Sequence, residues 1–72
     1  MSKADWGLYD ALSCASLSVL QARDGNGPKA EEAWMEASVA ALTAFPDGSP
    51  EQAALNVVLG AVGDQARKVS AS

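Results

Sequence analysis

Two clusters of turn-forming residues, Asp24-Gly25-Asn26-Gly27-Pro28 and Pro46-Asp47-Gly48-Ser49-Pro50, cut the 72-residue chain into three pieces of helical length. No proline falls inside a piece, and none of the pieces alternates apolar and polar residues as a half-buried strand would. The pattern predicts an all-α fold of three antiparallel amphipathic helices, over about 4–23, 28–45 and 50–69, in one domain spanning 1–72. Connections this short favour an up-down-up bundle. An open helical hairpin whose third helix completes a partner's bundle satisfies the same pattern.

The boundary residues agree with this division. Ser49 suits an N-cap, Pro50 the first helical position, and Gln52 the third position of a capping box. Ser2 and Asp5 offer the same box to the first helix, while Pro28 followed by Glu31 and Glu32 marks the start of the second. Arg23, Arg67 and Lys68 stand near helix ends, where cations complement the helix dipole.

At about 100° per residue, the third helix carries one narrow apolar stripe, Leu55, Leu59, Val62, Ala66 and Val69. The first carries two, Leu8-Leu12-Ala15-Val19 beside Trp6-Tyr9-Leu17-Leu20. The second also carries two, an alanine-rich face of Trp34, Ala37, Ala41 and Phe45 and a separate line of Met35, Val39 and Leu42. A helix at the edge of a three-helix monomer needs only one apolar face, so the extra width on the first two predicts a second neighbour.

A chain of this length buries only roughly 60% of its extended surface, which makes an extra source of stability expected. With one cysteine, Cys14, and no histidine, neither an intrachain disulfide nor the common zinc ligand sets are available. Self-association, as a homodimer, is the expected remedy. The uncharged stretches are far shorter than the roughly 20 residues of a membrane span, and no export signal is read, so the expected compartment is the cytoplasm.

The net charge of −4 is concentrated in the middle, where Asp24, Glu31, Glu32, Glu36 and Asp47 face only Lys29. That balance argues against direct nucleic-acid binding. Without histidine, the usual base for a serine or cysteine nucleophile is missing, and Cys14 has no nearby cation to lower its pKa. Glu32 and Glu36 stand one turn apart on a side read as solvated, opposite the alanine face, and make a poor acid–base pair. Asp24-Gly25-Asn26-Gly27 opens like a calcium loop, but Pro28, Lys29 and Met35 occupy the positions that need oxygen ligands or glycine. It is read as a turn in which glycines supply positive φ. Gly60 and Gly63, inside the third helix, are read as points of close backbone approach.

The expectation is therefore a non-enzymatic module with no cofactor and no metal, regulatory or inhibitory, that presents apolar residues of the first two helices to a larger protein. Trp6, Tyr9, Trp34, Met35, Val39 and Leu42 are the candidate partner-binding residues, since aromatics and methionine are typical interface anchors. Two alternatives have the same fold: an acidic mimic of a polyanion that blocks a nucleic-acid-binding protein, and a structural subunit of a larger assembly.

Overall fold

A computed structural model describes residues 2–71 and is all-helical, with α1 (Lys3–Arg23), α2 (Gly27–Ala44) and α3 (Pro50–Ser70) packed against one another. The chain runs up, down and up within 38 × 21 × 13 Å, and each helix end lies within one residue of the expected span. The third helix folds onto its own chain's hairpin, so the open-hairpin alternative is not the arrangement adopted.

Local chemistry fixes the ends. Ser2 and Asp5 form a complete capping box at the start of α1. At its end, the amide of Gly25 donates to the Ala22 carbonyl (3.0 Å) and that of Asn26 to the Gln21 carbonyl (2.8 Å), with Gly25 at φ 83°. This is the Schellman pattern, and glycine takes its left-handed position. The Asn26 side chain then accepts from the Lys29 amide and caps α2, so asparagine rather than Pro28 is the start signal. Gly27 has a different role from Gly25, because a Cβ there would run into the backbone of Ser70 at the end of α3. Ser49 caps α3 by accepting from the Gln52 amide (3.2 Å). The expected box is only half made there, since the Gln52 carboxamide is buried and points to the Phe45 carbonyl at 3.5 Å.

The interface between α1 and α2 is built of small residues. Ala11, Ala15, Ser18 and Ala22 are the buried positions of α1, and Gly27, Ala30, Ala33, Ala37 and Ala41 those of α2. A Cβ on Gly7 would collide with that of Ala44, which shows how closely the two helices approach. Ser18 is fully buried and donates to the Ala30 carbonyl at 2.7 Å, one lone pair beyond the helix's own ladder. Among the described residues, the buried hydrophobics are eight alanines and only three larger side chains, Leu55, Leu59 and Val62, all from α3. The third helix therefore carries the expected stripe, which sits on the alanines of the hairpin.

On α1 the expected stripe is corrected. Leu12 and Val19 are exposed and Leu8 only half-buried, while Ala11, Ser18 and Ala22 take the core positions. Helices that approach closely need short side chains between them, so the large residues are displaced to the flanks.

Candidate functional site

The alanine seam leaves no room for the large apolar residues of α1 and α2, and it dictates where they go. Met35, Val39 and Leu42 lie outward on α2 at 54%, 63% and 59% exposure, and Trp6 and Tyr9 outward on α1 at 62% and 58%. The rings of Trp6 and Tyr9 touch, with centroids 6.3 Å apart and planes tilted by 50°. Five of the six candidate residues are thus at the surface.

Trp34 is the exception. It is half-buried, and its indole N–H donates to the Leu59 carbonyl at 2.7 Å. The ring lies over Gly63, where an added Cβ would come within 2.7 Å of the indole, and the Arg67 guanidinium stands 5.2 Å from the ring centroid. A buried tryptophan needs a partner for its one polar group, and a helix carbonyl with a spare lone pair supplies it. The expectation of close backbone approach is therefore corrected at both glycines of α3: at Gly63 an aromatic side chain takes the space, and Gly60 faces open space.

On the outer side of the seam, a groove of about 830 Å³ runs between α1 and α2. Ala4, Ala40 and Ala44, all half-buried, line it together with the exposed side chains of Met35 and Val39. Lys3, Asp10, Glu32 and Glu36 are its charged residues, three carboxylates against one ammonium. Asp10 also borders a smaller depression shared with Trp6, Tyr9 and Ser13, so the aromatic pair and the groove adjoin. Leu42 extends the line of Val39 by one helical turn. The result is a groove lined by alanines, Met35, Val39 and three carboxylates, with the aromatic pair in the depression beside it and Leu42 further along α2.

Glu32 and Glu36 are therefore exposed as expected but not set apart from apolar surface, since both border the groove. Cys14 is half-buried and packs against the core cluster. Burial pushes its thiol pKa up, and the nearby carboxylates of Glu36 and Asp10 push it further the same way. A thiol held protonated in this manner is a weak nucleophile. In the first turn, Asn26 is occupied as a cap and Asp24 pairs with Arg23 at 3.5 Å. Among the described residues, no three His, Cys, Asp or Glu side chains gather as metal ligands, and no helix is long and apolar enough to cross a membrane.

Leu17, Leu20, Val57 and Val58 are further exposed apolar residues. The first two belong to a stripe visible in the sequence, whereas the pair on α3 had no periodic signal to mark it. The chain matches no protein-family model, no curated protein and no solved structure, so its site is read from geometry alone.

Proposed function

We propose that the chain is a small non-catalytic protein-interaction module, regulatory or inhibitory in role, that docks a larger cytoplasmic protein on the outer face of α1 and α2. The observation that carries this reading is the alanine seam. It already satisfies the packing of both helices, yet Trp6, Tyr9, Met35, Val39 and Leu42 remain outside it, Met35 and Val39 on the groove and Trp6 and Tyr9 in the depression that adjoins it. Concentrations of exposed aromatic, methionine and aliphatic side chains mark sites of association. Trp34 has no part in the docking face.

Self-association belongs to the same proposal. Leu17 and Leu20 stand exposed in the uncharged stretch of α1 and are the apolar residues two copies would share, with Lys29, Glu32 and Glu36 of α2 beside Leu17.

Affinity capture from the source cell, run with wild type and with the Met35→Asp/Val39→Asp variant, tests the docking face. A partner retained by wild type and lost by the variant, at unchanged helicity, is the expected result. Equal retention by both removes the face from the function. A partner still held by the variant but released by a few hundred millimolar salt would instead favour the polyanion mimic, because phosphate-site binding is steeply salt-dependent. A chain that is unfolded until it assembles would be the structural subunit.

A further inference from the structure

Resting on that reading, we infer that the occupant of the α1–α2 groove is a basic amphipathic helix of the partner, an apolar line flanked by lysine or arginine. The groove runs along α2 from Glu32 to Ala44, which at about 1.5 Å per residue is roughly 18 Å, or three turns of a docked helix. Its apolar contacts come from Met35 and Val39, one helical turn apart, and from Ala4, Ala40 and Ala44, a length of apolar surface that suits the anchors of an amphipathic helix. Methionine adapts to irregular partners. Both flanking elements are helices whose backbone groups are bonded within themselves, so an added strand finds no edge to pair with and recognition rests on side chains.

Charge selects the occupant. Asp10, Glu32 and Glu36 outnumber Lys3 among the residues that line the groove, and cations beside the occupant's apolar line would meet these carboxylates. A second copy docking by the same face would bring two such acidic grooves together, and phosphate surfaces, of nucleic acid or of membrane, meet the same repulsion.

The test uses two synthetic helix-forming peptides of about 14 residues, four turns by the same rise, with one apolar pattern and either lysine/arginine or glutamate flanks. Fluorescence anisotropy is measured against the full chain and against the Glu32→Lys/Glu36→Lys variant, whose substitutions are exposed and whose fold is checked by circular dichroism. The basic peptide should bind wild type and lose about tenfold on the variant, while the acidic peptide should gain affinity for the variant by a similar factor, as two groove charges reversed together imply. Equal binding of the two peptides to wild type overturns the charge selection and leaves the docking face standing. No binding of either at about 1 mM overturns both the inference and the groove as a docking site.

Discussion

The two tryptophans offer a controlled comparison, because the same substitution at each should have opposite consequences. Trp34→Ala removes a half-buried indole, its 2.7 Å hydrogen bond to the Leu59 carbonyl and its packing on Gly63. Full burial of a tryptophan is worth about 3–5 kcal/mol on truncation, so a half-buried one with a hydrogen bond of about 1 kcal/mol should cost roughly 2–3 kcal/mol. For a domain of this size that is a fall in Tm of roughly 10–20 °C. Trp6, by contrast, is 62% exposed and its ring contact is with Tyr9. Losing that contact costs about 0.5 kcal/mol, which the better helix propensity of alanine largely offsets, so the net change should stay within about 0.5 kcal/mol. Thermal unfolding followed by circular dichroism at 222 nm measures both, a wavelength chosen for helix content. A Trp6→Ala variant that destabilises as much as Trp34→Ala would refute the division between docked and outward-facing aromatics.

Two further substitutions or titrations address the seam and the thiol. Ala37 is fully buried between the hairpin helices, and Ala37→Leu should cost about 1–3 kcal/mol in urea unfolding because the helices must separate to admit it; an unchanged midpoint would mean the seam is loose. Alkylation of Cys14 by iodoacetamide should follow a pH midpoint above that of a free thiol, because burial and then Glu36 and Asp10 disfavour the thiolate. The linked stability has a definite sign. The folded pKa is raised, so the contribution of the neutral thiol is complete below the ordinary thiol pKa and is lost as pH rises through the folded value. A midpoint at or below that of a free thiol contradicts this placement.

Helix number, order and ends were legible because they depend on local chemistry, with the Ser2 and Ser49 caps and the two turn clusters all read from neighbouring residues. The Leu55-Leu59-Val62-Ala66 face was legible for a different reason, since one narrow stripe on an otherwise polar helix has one place to go. The face of α1 was misread because periodicity ranks residues by hydrophobicity, whereas close packing ranks them by size. Ala11, Ser18 and Ala22 won the core over Leu12 and Val19 because α2 presents alanines opposite them. On α2 the periodicity already set Trp34 on the alanine face, apart from Met35, Val39 and Leu42, but did not show what it would meet there. Trp34 found a carbonyl and a glycine on α3, and neither is marked by its own surroundings in the chain, although Gly63 was a visible irregularity. The groove itself could not be read, because it needs the register of Asp10 against Glu36 and Val39 across two helices.

The inside-out placement of small and large residues in α1 and α2 is the claim on which the docking face depends. Methyl NMR of the full chain with a soluble paramagnetic gadolinium chelate measures it directly. Strong bleaching of the Met35, Val39 and Leu42 methyls beside well-protected Leu55, Leu59 and Val62 methyls is the predicted pattern. Equal protection of the two sets would contradict it, showing that α2's outward line is already covered.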